Sequence, residues 1–150
     1  MSHEDDPVED VLAQLRERDA RFQAWLEHLR AGDPAFAEAS ALQSWDSTEW
    51  QSAVYLLTGC DVVWRSLGAG VLADRSIAPV IREDQDPSRG WSHSERDVMA
   101  WAAHFWNVDA NDVTGFPWVF EQFLFQRWIT ACHLRRKMPP ALAITDAPIP

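Results

Sequence analysis

The side chains best equipped for chemistry cluster in WSHSERDVMAWAAHFWN, residues 91–107, which holds three of the chain's nine tryptophans and two of its five histidines. On a helix, at 100° per residue, His93, Asp97 and His104 fall within about 40° of one another. His93 and Asp97 are one turn apart, so an imidazole and a carboxylate can share a metal ion or relay a proton. His104 lies ~16 Å along the axis from His93, too far to join the same ion. A catalytic zinc normally takes three protein ligands and a water, so that chemistry needs a third ligand from elsewhere, such as His133. The stripe is therefore read as a solvated ion pair with no cofactor. The alternative is a small metal-dependent or acid–base enzyme using His93, Asp97 and His133, with residues 68–90 as a lid.

Other routes to catalysis find little support. Cys60 and Cys132 sit in apolar stretches, where thiols are usually inert, and two cysteines in 150 residues make no disulfide framework. Cys60 becomes a nucleophile only if the fold sets His104 or His133 beside it. There is no Gly-rich phosphate loop, Gly-x-Ser-x-Gly elbow, His-Glu-x-x-His, Cys-x-x-Cys or EF-hand pattern.

Charge points instead to binding. The net charge is −10. Residues 1–33 hold nine acids against four bases, residues 34–86 eight against three, and residues 87–150 six against six. Such a field disfavours nucleic acid and acidic membranes and favours a basic protein partner. The expected docking face joins Glu17, Asp19, Asp46 and Glu49 to Trp25 and Trp45 as exposed aromatic anchors, as in an inhibitor, immunity protein or regulatory adaptor.

These residues must be held by helices. In DPVEDVLAQLRERDARFQAWLEHLRAG, Asp6 suits an N-cap, Pro7 the first helical position and Gly32 the far end. Val8, Leu15, Phe22 and Leu29 recur every seven residues, with Val11 and Trp25 between them and Arg18 interrupting. That seam packs on its own domain or pairs with a second copy as a homodimer. Asp33 and Pro34 announce a second helix, and Asp46 or Ser47 caps a third carrying Trp50, Val54 and Leu57 on one face. Gly59 either lets that helix run on, burying Asp61, or ends it, leaving Asp61 to cap VVWRSL; the second reading is preferred. From Gly68 to Gly90 the periodicity lapses, which predicts a long irregular connection with a short extended piece at APVI. Ser92 and Glu95 then form a capping box, with Val98, Trp101, Ala102 and Phe105 facing the core.

The last helix, from FPWVF to HLRRK, starts at Pro117 and is apolar around most of its circumference. Arg127 stands within its apolar side. It either snorkels to water or is buried and paired, with Asp61, Glu121 and Asp97 as candidate partners; the pairing expected is a structural ion pair with Asp61.

SHSERDVMAWAAHFWN followed by FQRWITACHLRRKMPP resembles a helix–loop–helix ending of small uncharacterised actinobacterial proteins, which often read Ser-x-Gly-Glu-Arg before an apolar helix closing in Leu-Trp-Asn. Ser94 here replaces the glycine. The resemblance covers about a third of the chain and implies a helical ending without a function. The expectation is a single all-α domain over residues 1–150, a bundle of five or six helices with the Trp101 and Trp128 helices packed at its centre. Residues 1–6 are expected to be disordered and residues 141–150 an extended tail. MSHEDDP has no apolar signal segment, no run is long enough to span a membrane, and the cysteines read as reduced, so the expected location is cytoplasmic.

Overall fold

The computed structural model describes residues 7–107 and 120–140, and these form seven helices and no strand. In order they are α1 Pro7–Ala31, α2 Pro34–Ser40, α3 Thr48–Thr58, α4 Asp61–Asp74, α5 Ala78–Asp84, α6 His93–Trp106 and α7 Gln122–Arg135. The all-α class is as expected, with more helices than five or six. Asp6, Pro117, the 1–6 segment and the 141–150 tail lie outside the described residues.

The hub is α3, around which α2, α4, α6 and α7 pack. Trp50, Ala53, Val54, Leu56 and Leu57 are all fully buried there. Three of its buried polar residues, Gln51, Ser52 and Thr58, tolerate burial because each finds a backbone acceptor. Ser52 donates to the Thr48 carbonyl, Thr58 to Val54, and Gln51 Nε2 to Ser40 and Ser44. The Trp50 indole donates to Ala39 O at 2.8 Å, tying α3 to α2. The Trp101 and Trp128 helices were expected at the centre; instead α6 and α7 flank α3, and those two rings meet edge to face on its side, 5.1 Å apart and only partly buried. α7 commits one stripe, Leu124, Arg127, Ala131 and Leu134, to the interior and leaves Phe123 and Ile129 exposed.

Capping signals identify several boundaries. Asp33 accepts the Phe36 N–H at the start of α2, and the Ser92–Glu95 capping box is complete at the start of α6. Gly59 ends α3, but Cys60 occupies the N-cap of α4 and Asp61 is merely its exposed first residue. α7 begins with Glu121 as N-cap, its carboxylate accepting the Phe123 and Leu124 N–H groups.

The long irregular connection is corrected. α4 runs on through Gly68 and Gly70 to Asp74, and APVI is not extended but opens α5. A Cβ on Gly68 would lie 2.8 Å from the Trp64 ring, so glycine there lets the indole lie along its own helix. Pro79 falls in the first turn of α5, where no N–H is required of it. α4 stops at Arg75 in the left-handed conformation (φ 50°), whose carbonyl accepts a bond from Gln43 Nε2 at 3.0 Å. What remains irregular is the three-residue link Arg75–Ile77 and the short stretch from Gln85 to Ser92.

The two halves of α1 differ. Phe22, Trp25 and Leu26 are buried against the body, whereas every residue from Pro7 to Arg18 is exposed. None of the described helices is long and apolar enough to cross a membrane.

Candidate functional site

Arg127 is buried at 8% exposure and does not pair with Asp61. Its Nη2 lies 2.6 Å from Asp33 Oδ2 and donates to Thr58 Oγ1 at 2.7 Å, while Nε donates to the Tyr55 carbonyl at 2.6 Å. The guanidinium carbon also stands 3.8 Å from the centre of the Tyr55 ring. Burial pushes the Tyr55 phenol above its usual pKa, with the Arg127 charge opposing the shift. Asp33 therefore has two tasks, capping α2 with one oxygen and holding α7 with the other. The Asp61 expectation failed because Gly59 ends α3 and turns the start of α4 outward, away from α7. This node joins α2, α3 and α7 and is fully used by the fold.

The opening stripe carries no assembled centre. His93 Nε2 lies 3.9 Å from Asp97 Oδ1, with the imidazole 76% exposed, which fits a solvated pair. His133 is not brought to it: it lies near the end of α7, its Nδ1 2.8 Å from the Met138 carbonyl, and lines a different cleft with Trp101, Trp128 and Cys132. Among the described residues, no group of three or more His, Cys, Asp or Glu side chains is placed to hold a metal ion. His104 is partly buried, edge-on to Trp101 at 5.5 Å, and its Nδ1 has no hydrogen-bond partner among the described residues.

Several open clefts were not visible in the sequence. One, of about 470 Å³, lies between α4, α5 and α6 and is lined by Val62, Leu67, Glu83, Arg89, Trp91 and Glu95. Its carboxylates are engaged: Glu83 accepts from the Trp91 indole and faces Arg89 at 3.4 Å, while Glu95 accepts the Ser92 N–H. Another, of about 320 Å³, sets His104 and Cys132 in one cleft with Trp101, Arg135 and Arg136. It lacks the activation a nucleophile needs, because burial pushes the Cys132 thiol up to about 11 and His104 Nδ1 makes no bond to it. Cys60 is buried, and burial raises its pKa too. Alkylation of Cys132 by iodoacetamide at pH 8 should accordingly be roughly 30–100-fold slower than that of a free cysteine and quicken steadily toward pH 11. Rapid labelling at pH 8, followed by peptide mass spectrometry, would reverse that assignment.

The expected docking face is divided. Trp25, expected as an exposed anchor, is buried at 5%. Trp45 is half-buried, 6.1 Å from Phe22 and covered by the Lys137 ammonium at 4.6 Å. Asp19 is neutralised by Lys137 at 2.8 Å, Glu17 by Arg21, and Glu49 faces Arg135 at 3.8 Å. Asp46 is exposed and accepts from the Ser44 hydroxyl. What the surface offers instead is the first half of α1. Val11, Leu12 and Leu15 are 53%, 45% and 46% exposed, on the same stripe that buries Phe22, Trp25 and Leu26 further along. Where the arm meets the body, Arg18, Arg21 and Lys137 rim a small cleft of about 130 Å³ floored by Met138 and Pro139. The seven-residue periodicity signalled the stripe, but nothing in it told which half the body covers.

No protein-family model matches this chain, and no curated protein or solved structure is significantly similar to it.

Proposed function

We propose that this chain is a non-enzymatic protein-binding module whose docking element is the exposed half of α1, in the manner of an inhibitor, immunity protein or adaptor. The observation that carries the reading is that the apolar stripe of α1 outruns the body built to cover it. Burying a leucine or valine is worth about 1.5–3 kcal/mol, so a ridge of Val11, Leu12 and Leu15 is a substantial drive to associate. Its leading end is acidic, with Glu9 and Asp10 in the first turn and Glu4, Asp5 and Asp6 before them in the sequence. The complementary surface is therefore apolar in the middle and basic at the rim. The free thiols of Cys60 and Cys132 suit a cytoplasmic setting.

A photoreactive phenylalanine analogue at position 12, irradiated in cells, should give an adduct of discrete mass that is lost when Leu15→Glu is added. The same Leu15→Glu should shift the thermal midpoint by no more than about 2 °C, because the residue has no interior to leave. Cross-links confined to the chain itself, or a large fall in the midpoint, would mean that the ridge is an internal surface and that the reading is wrong.

A further inference from the structure

We infer that the surface received by α1 is α1 of a second copy, running antiparallel, so that the chain is a self-associating dimer. This rests on the reading of α1 as the docking element. The exposed half is polarised along its length. Glu9 and Asp10 lie at its start, Val11, Leu12 and Leu15 in its middle, and Arg16 and Arg18 at its end with Glu17 between them; just beyond, Arg21 and Lys137 outnumber Asp19. A two-fold axis near Ala13 sets Leu15 of each copy beside Val11 of the other and brings Glu9 and Asp10 of each alongside Arg16 and Arg18 of the other, with Glu17 at the same level offsetting part of that attraction. A parallel pair would stack acids on acids and arginines on arginines.

The body completes the fit. From Val8 to Arg18 is ~15 Å along the helix, so in the antiparallel pair the leading turn of one copy arrives at the other's Met138–Pro139 cleft. That cleft is apolar on its floor, with Arg18, Arg21 and Lys137 on its rim; Arg21 and Lys137 already face Glu17 and Asp19 of their own chain, so Arg18 is the rim cation with no acid bonded to it among the described residues. The arriving turn has the opposite character, an apolar edge beside Glu9 and Asp10. A ridge and the cleft that accepts it thus occur on one chain at the spacing a two-fold axis requires, which makes the contact isologous and closed. Two ~18 Å segments side by side, with the two clefts, bury on the order of 1,000 Å², the small end of specific interfaces, so the dimer dissociates on dilution.

The test is sedimentation equilibrium of the full chain over a concentration series, with two charge-reversed variants: Glu9→Arg with Asp10→Arg, and Arg16→Glu with Arg18→Glu. All four positions are exposed, so both variants keep the fold, which circular dichroism checks. Wild type is expected to rise from one to two chain masses. Each variant alone should need at least tenfold higher concentration to associate, and a 1:1 mixture should restore the dimer. A wild type that stays monomeric throughout, or variants that dimerise as wild type does, overturns the inference. If the position-12 adduct then has the mass of a different protein, the docking reading stands without self-pairing. If its only cross-links are to residues 141–150 of its own chain, both readings fall.

Discussion

Replacing Arg127 with alanine should cost about 3–5 kcal/mol, enough to threaten a domain of ordinary stability. The substitution leaves a cavity beneath Tyr55, a Tyr55 carbonyl with only the longer bond from the Thr58 hydroxyl, and an Asp33 carboxylate whose cation has gone, all at once. Arg127→Leu should be milder by ~1–2 kcal/mol, because it refills the volume and leaves only the polar losses at Asp33 and the Tyr55 carbonyl. Asp33→Asn keeps an oxygen for the Phe36 N–H while removing the charge, so in the Arg127→Leu background it should be close to neutral although it is damaging in wild type. Urea unfolding followed by circular dichroism measures all four proteins. Equal, small losses for alanine and leucine would mean that the guanidinium contributes nothing to stability.

Gly59→Ala should destabilise by about 2–3 kcal/mol, against the usual sign of that substitution. Gly59 has an ordinary right-handed conformation (φ −78°, ψ −12°), where alanine would normally add ~0.4–1 kcal/mol by restricting the unfolded chain. Here a Cβ would fall 2.5 Å from Cδ and Nε of Arg127. That part of the side chain cannot swing aside without losing its bonds to the Tyr55 carbonyl and Thr58 hydroxyl. In an Arg127→Ala background the obstruction is gone and the new methyl enters the cavity, so Gly59→Ala should turn neutral or favourable. The same urea titrations give this cycle, and a Gly59→Ala protein more stable than wild type would sink the argument.

Much of the helical framework was legible, because capping chemistry is local. Asp33, the Ser92–Glu95 pair and Gly59 mark boundaries that depend only on a few neighbouring residues. Where glycine and proline were taken as breakers the reading went astray. Gly68 is tolerated in α4 because the Trp64 ring needs its empty side, and Pro79 because it lies in a first turn. Arg127 stood out as anomalous, yet its partner could not be read, since Asp33 and Asp61 are both acids at helix starts and only tertiary packing separates them. The docking residues illustrate the same limit. Trp25 and Leu15 belong to one stripe by pattern, and only the extent of the body decides that one is core and the other surface.

The half-buried α1 also bears on how a docking segment can be kept ready. A detached helix of twelve residues is marginal in water, chiefly because its first turn must fix several torsions for a single hydrogen bond. In this chain that turn is already formed, since Phe22, Trp25 and Leu26 anchor the same continuous helix to the body. Residues 7–18 need only propagate from an existing nucleus, at about one hydrogen bond for each residue ordered. Amide exchange should then quicken smoothly toward Pro7 instead of dropping at a sharp boundary, and whatever covers the ridge halts that fraying turn by turn. Recognition would thus proceed from a helix already wound at its root, with little of the ordering penalty a disordered segment meets on binding.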